Sequence, residues 1–123
     1  MGYTQTSGKQ AEDLACQHLQ QQGLRLLERN YTTRFGEIDL VMRDKDTTVF
    51  VEVRYRKHHN LVDPLSSIDL RKQQKLIRTA RAYLQQQRDL GLSPARFDVI
   101  AITTQDAQHQ IQWIKNAFEA QGA

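Results

Sequence analysis

Two apolar β-type runs joined by a very short polar link constrain this chain more than any other feature. They are Gly36–Arg43 (GEIDLVMR) and Thr48–Arg54 (TVFVEVR), with Asp44, Lys45, Asp46 and Thr47 between them. A link of this length joins antiparallel neighbours, so the runs predict a hairpin. Ile38, Leu40, Val49, Val51 and Val53 make both strands apolar enough to be central in a sheet, where charges need a reason. Period-two alternation puts Glu37, Asp39 and Val41 on one face of the first strand, and Phe50, Glu52 and Arg54 on one face of the second. Symmetric closure pairs Arg43 with Thr48, Val41 with Phe50, Asp39 with Glu52, and Glu37 with Arg54. The Asp39 and Glu52 side chains then meet at roughly 5 Å between Cβ atoms. Adjacent carboxylates repel and raise each other's pKa. A hard divalent cation, Mg²⁺ or Mn²⁺, would neutralise the pair through oxygen ligands. The competing reading is a solvated charged ladder, Glu37 against Arg54 and Asp39 against another cation.

The remaining elements place this hairpin in an α/β domain. A first helix is predicted over about Gly8–Gln22, with Ser7 and Gln10 at capping-box spacing and Gly23 as terminator. Its apolar face is Ala11, Leu14, Ala15, His18 and Leu19. Glu12 borders that face and Asp13 points toward solvent. Residues 24–31 read as a strand, 55–66 as an irregular polar loop, and Ser67–Asp89 as a long helix with Leu76, Ile77, Ala80, Tyr83 and Leu84 inward. Phe97–Thr103 and Ile111–Ile114 read as strands, with a helical turn at Ala117 and Phe118. The order α-β-β-β-α-β-β predicts a central mixed five-stranded sheet flanked by helices. At 123 residues the chain is read as one domain, residues 1–123, able to bury a core without staples.

Composition narrows the class. Apolar residues are 39% and charged residues 25%, which excludes a disordered chain. No apolar stretch is long enough to cross a membrane, and the N-terminus has no apolar signal region. Cys16 is the single cysteine, so neither an internal disulfide nor a cysteine metal cage can form. A cytoplasmic location is expected. The net charge of +3 is mild, but residues 71–88 hold Arg71, Lys72, Lys75, Arg78, Arg81 and Arg88 without an acid. Arg71, Lys75 and Arg78, at i, i+4 and i+7, form one stripe that could track a phosphate backbone or could be a solvated face. Tyr55, Arg56, Lys57, His58 and His59 form a basic loop beside the carboxylates; the His pair more often faces solvent than a metal.

The run GEIDL followed by FVEVR resembles the PD-(D/E)xK nuclease signature, with Asp39 as the first acid and Glu52-Val53-Arg54 as the triplet. More closely, the segments GKQAEDLACQHLQQQG, RNYTTRFGEIDLVMRD, VFVEVRYR, KQQKL and RFDVIAI resemble the bacterial YraN family, uncharacterised proteins with a restriction-endonuclease-like fold. The resemblance spans Gly8 to about Phe118. It implies that Asp39 and Glu52 are metal ligands and that Glu12 completes the shell, as a helix-one acid does in archaeal Holliday-junction resolvases. Gln73 and Gln74 loosely match the glutamine of RecB-like nucleases. Arg54 occupies the catalytic lysine position and departs from the signature. Arginine can hold a phosphate, often by two hydrogen bonds, but it is a permanent cation and a poor proton acceptor. Three readings follow: a Mg²⁺- or Mn²⁺-dependent nuclease hydrolysing phosphodiesters of branched or damaged DNA; a DNA-binding module without turnover; or a protein-interaction adaptor. The expected nucleic-acid contacts are Arg54, Arg56, Lys57, Arg71, Lys72, Lys75 and Arg78. A homodimer is left open.

Overall fold

The computed structural model describes residues 8–56, 63–87 and 93–119. Elements run α1 (Gly8–Gln21), β1 (Arg25–Thr33), β2 (Gly36–Asp44), β3 (Thr47–Arg56), a 3₁₀ turn (Pro64–Ser67), α2 (Leu70–Gln86), β4 (Ala95–Gln105) and β5 (Gln108–Phe118). The strands form one five-stranded sheet in the order β1-β2-β3-β4-β5. β3 and β4, joined through α2, run parallel, and every other neighbouring pair is antiparallel. This is the mixed sheet and element order expected of the restriction-endonuclease-like class.

Each helix covers one face, so the central strands are buried on both sides. Against α1, Ala11, Ala15, Cys16 and Leu19 meet Leu40, Met42, Val49, Val51, Ile100 and Ile102. Against α2, Leu76, Ile77, Ala80 and Tyr83 meet Val41, Phe50, Phe97 and Val99. Alternating strand residues therefore feed two cores, which is why β2 to β4 read as nearly continuous apolar runs.

Local chemistry sets the boundaries. α1 ends where Gly23, at φ 99°, donates to the Gln20 carbonyl and Leu24 donates to that of Leu19, closing the last turn. α2 starts at Leu70, not Ser67, because the Asp69 carboxylate caps it by accepting from the Lys72 amide at 2.9 Å. Residues 64–67 form a separate 3₁₀ turn capped by Asp63, so the predicted irregular loop is structured at this end, while Tyr55 and Arg56 extend β3. Ser7, Gly91 and residues 57–62 lie outside the described residues.

The largest correction concerns the C-terminus. Ala117 and Phe118 belong to β5, not to a helical turn. Buried Asp98 explains this: its carboxylate accepts from Arg96 Nε at 3.0 Å, Trp113 Nε1 at 2.9 Å and the Asn116 amide at 2.9 Å. The last bond bridges an irregularity in the ladder between Phe97 and Val99, and Asn116 takes φ 53° there. The strand then resumes, with Phe118 paired to Phe97 and stacked on its ring at 4.8 Å.

Candidate active site where the central hairpin parts

The β2–β3 register matches the expected one from Asp44–Thr47 to Leu40–Val51, including Arg43–Thr48 and Val41–Phe50. The paired rungs stop there, one step before Asp39 and Glu52. Asp39 Oδ2 instead accepts from the Val53 amide at 2.8 Å. The carboxylate thus takes the place of a backbone acceptor at the point where the strands separate.

The face assignment of β2 needs correction at the same point. Leu40 and Met42 enter the α1 core, but Val41 and Ile38 both enter the α2 core. Glu37, Asp39 and Val41 therefore do not share a face, because alternation slips by one residue at Asp39. The neighbouring strand slips opposite it. Asn30 lies between the paired residues Arg29–Leu40 and Tyr31–Ile38 and adopts φ 53°. Arg29 then reaches α1 acids, while Tyr31 turns to Tyr83 of α2, ring centroids 5.1 Å apart.

Glu52 keeps its expected face with Phe50 and Arg54, and is only 6% exposed. Two cations flank it: Arg54 at 3.4 Å and Lys72 Nζ at 3.5 Å. Burial nevertheless holds the Glu52 carboxyl above its ordinary pKa, outweighing both cations. Asp39 is pushed up to about 7, first by burial, then by the charge of Glu52, with smaller pressure from Glu12 and Glu37 and relief from the Val53 amide. The predicted Glu37–Arg54 pair is absent. Glu37 is exposed beside the Thr32 hydroxyl at 3.5 Å, and Arg54 donates to the Ser67 carbonyl at 3.2 Å.

Glu12 approaches from α1, and its charge reaches Asp39. Its oxygens, however, are held by Asn30 Nδ2 at 3.0 and 3.2 Å, with Arg29 at 3.5 Å. Asp13, expected to face solvent, pairs with Arg29 at 2.7 Å while remaining 42% exposed. Among the described residues, no group of three or more His, Cys, Asp or Glu stands close enough to hold an ion. A hard cation on two carboxylates alone would have to complete its shell from water and phosphate, as Mg²⁺ commonly does. Asp39 and Glu52 would hold it.

The cationic candidates divide in two. Arg71, Lys75 and Arg78 are exposed on the side of α2 opposite Leu76, Ile77, Ala80 and Tyr83. Lys72 instead turns into the carboxylate site, and Arg56 donates to the Tyr55 carbonyl at 3.0 Å. Gln73 donates to the Ile68 carbonyl at 3.1 Å, and Gln74 is exposed. Lys57, His58 and His59 lie outside the described residues.

Asn30 and Arg34 escaped the sequence reading, and Lys72 was expected only as a nucleic-acid contact, not as a partner of Glu52. Asn30 was invisible as a Glu12 ligand, although asparagine tolerates positive φ and so marks a slip in a strand. Lys72 sits about 100° from Arg71 around the helix, off the stripe of Arg71, Lys75 and Arg78, and pairs with Glu52. Arg34 stands over the Phe35 ring at 5.0 Å in the β1–β2 turn. That turn lies against α2: a Cβ on Gly36 would come 3.7 Å from that of Lys75. Arg34 is exposed in that turn.

Residues 11–102 match the family described as "Uncharacterised protein family UPF0102". A UPF0102 protein of Stutzerimonas stutzeri (strain A1501) is 54% identical over 120 residues, covering 98% of this chain and 100% of the relative. A UPF0102 protein of Pseudomonas aeruginosa (strain LESB58) is 52% identical over 115 residues, 92% of each chain. Another, of Pseudomonas fluorescens (strain Pf0-1), is 54% identical over 114 residues, 93% of each.

Proposed function

The chain belongs to the UPF0102 family, the YraN proteins, and from that premise and the parted hairpin we propose a metal-dependent, nuclease-like protein that binds DNA and hydrolyses phosphodiesters. One observation carries the reading: β2 and β3 separate at Asp39 and Glu52, where burial raises both carboxyls and the Glu52 charge presses on Asp39. A fold gains nothing from two such acids unless a cation or a proton satisfies them. Mg²⁺ or Mn²⁺ would supply Lewis acidity and an activated water.

In this reading Asp39 is oriented by the Val53 amide and Glu52 by its ion pairs with Arg54 and Lys72. Arg54, braced on the Ser67 carbonyl, presents a fixed positive charge to a phosphate. Glu12, held by Asn30, tunes the charge at Asp39 from the other face of the sheet. Arg71, Lys75, Arg78 and Arg34 carry the duplex through its backbone, which gives affinity without base recognition. Branched or damaged DNA is the proposed substrate. No helix among the described residues is long and apolar enough to cross a membrane, and buried, unpaired Cys16 suits the cytoplasm we propose as its location.

Arg54 in the lysine position favours one alternative, a DNA-binding protein without turnover. A cleavage assay on linear, nicked and branched DNA with Mg²⁺ and Mn²⁺ decides between them. We expect metal-dependent cutting that Asp39→Ala, purified identically, loses. Metal binding by calorimetry without cutting of any substrate supports the alternative, and equal metal binding by Asp39→Ala plus Glu52→Ala overturns the site.

A further inference from the structure

The positive charges around Glu52 are not equivalent. The Arg54 guanidinium is tied down: it donates to the Ser67 carbonyl at 3.2 Å and pairs with Glu52 at 3.4 Å. Its Nε is buried and its side chain is 22% exposed, so the group has less freedom to follow a ligand than an exposed ammonium. The Lys72 ammonium is different. It comes from the first turn of α2, its side chain is 39% exposed, and its ion pair is with Glu52 at 3.5 Å. The Lys72 backbone is fixed by the Asp69 cap, so the flexible four-carbon stem alone decides where the charge goes.

We propose that Lys72 supplies the lysine this site lacks at position 54, as a mobile phosphate-binding charge that metal binding releases from Glu52. This inference rests on the proposed metal site. Before a cation arrives, Lys72 and Arg54 offset the buried Glu52 charge only in part. A divalent ion on Asp39 and Glu52 takes over that neutralisation and repels the nearby ammonium. Lys72 is then free to swing toward solvent and meet a phosphate oxygen of the DNA bound beside the ion. Arg54 cannot make the same exchange while braced on Ser67. The sequence keeps a lysine at the site, delivered from the helix across the face from Glu52 and not from Glu52's own strand.

Two consequences follow that a merely solvated lysine would not show. Lys72 competes with the metal for Glu52, so removing its charge tightens metal binding. Lys72 also contacts phosphate only after release, so its removal lowers DNA affinity chiefly when metal is present. The test uses the full chain as wild type, Lys72→Met and Lys72→Arg, with thermal melts to confirm folding. Mn²⁺ is titrated alone by calorimetry. Binding of a short DNA duplex is measured by fluorescence anisotropy without metal and with Ca²⁺, an oxygen-liganded ion used in place of Mg²⁺ to limit turnover.

We expect Lys72→Met to bind Mn²⁺ several-fold more tightly and to lose most of the Ca²⁺-dependent gain in DNA affinity, on the order of tenfold for one charge-assisted contact. Lys72→Arg should restore part of that gain. If wild type binds Mn²⁺ through Asp39 and Glu52 but Lys72→Met changes neither metal affinity nor the Ca²⁺-dependent gain, the role of Lys72 is overturned and the metal site stands. If wild type binds no Mn²⁺, or binds it equally after Asp39→Ala plus Glu52→Ala, the metal site and the inference fall together. A loss of DNA affinity equal with and without Ca²⁺ would make Lys72 part of the outer stripe and refute the exchange.

Discussion

Asp39→Asn should make this protein more stable above neutral pH, with the advantage shrinking through mild acid and gone by about pH 4. The reason lies in where the carboxyl sits. Burial and the neighbouring Glu52 charge move its midpoint from the usual 3.8 to about 7. Folding therefore favours the protonated acid. That contribution is fully present below pH about 4, declines as pH rises through about 7, and leaves an ionised carboxylate that the fold must carry at pH 8. At about 1.36 kcal/mol per pH unit, the unscreened cost is about 4 kcal/mol. Solvent reaching the half-buried group lowers the realised figure to about 1–2 kcal/mol. Asparagine is neutral throughout and keeps an oxygen for the Val53 amide. For a domain this size, about 1–2 kcal/mol is about 4–8 °C in melting temperature.

Circular-dichroism melts of wild type and Asp39→Asn between pH 4 and pH 9 read this directly. The two curves should lie closest near pH 4 and separate progressively from there to about pH 7, with the variant higher. Adding Mg²⁺ at pH 8 should close the gap by raising the wild type alone, since an ion that binds only the folded protein at about 100 times its Kd adds about 2.7 kcal/mol. A variant that is destabilised equally at pH 5 and pH 8 would refute the reasoning. Asp39 would then be a structural acceptor whose ionisation costs nothing, and the case for a charge-hungry cation site would lose its basis.

Two further outcomes test the surroundings. Reversing Arg71, Lys75 and Arg78 to glutamate should weaken binding to all DNA sequences alike and flatten the dependence of log affinity on log salt, measured by anisotropy at several salt concentrations; an unchanged slope would make the stripe a solvated face. Asp98→Ala should cost about 3 kcal/mol, seen as a melting temperature lower by about 10 °C, because it strands Arg96, Trp113 and the Asn116 amide in the sheet; a loss below about 1 kcal/mol would mean that Asp44 alone satisfies Arg96.

The hairpin register was legible because its determinants are local. A two-residue turn at Lys45 and Asp46, with Lys45 at φ 55°, produces the same pairing as symmetric closure about the polar link. The helix faces were legible for the same reason, since Leu76, Ile77, Ala80 and Tyr83 recur at helical spacing and are all buried. The end of β5 was not. Its continuation past Asn116 depends on Asp98, 18 residues earlier, whose carboxylate accepts from the Asn116 amide in mid-sheet. Nothing in the isolated segment KNAF signals that partner, and the alternation there reads equally well as a turn of helix. The Lys72–Glu52 pair was not legible for a related reason: a helical projection sets Lys72 off the Arg71 stripe but does not say that Glu52 waits across the interface.

The slip at Asn30 and Asp39 shows why the site was found although its geometry was not. Strict alternation brings Asp39 to Glu52 by making them opposite members of an unbroken ladder. In the protein they come together because the ladder breaks. If β2 continued in register through Asp39, Ile38 would turn toward α1 and leave the α2 core without the side chain that fills the space beside Phe50 and Leu76. Packing on both faces therefore requires the slip, and the slip leaves the Val53 amide without a strand partner. An acid at position 39 satisfies that amide, while a lost hydrogen bond at a buried amide would cost about 1–3 kcal/mol. That need explains an acceptor at position 39 but not a charged one, because asparagine would serve the amide equally well. It explains nothing about Glu52, whose burial no backbone group repays. The excess of charge over structural need at these two residues is what separates a site from a repair, and it is the quantity that the Asp39→Asn melts measure.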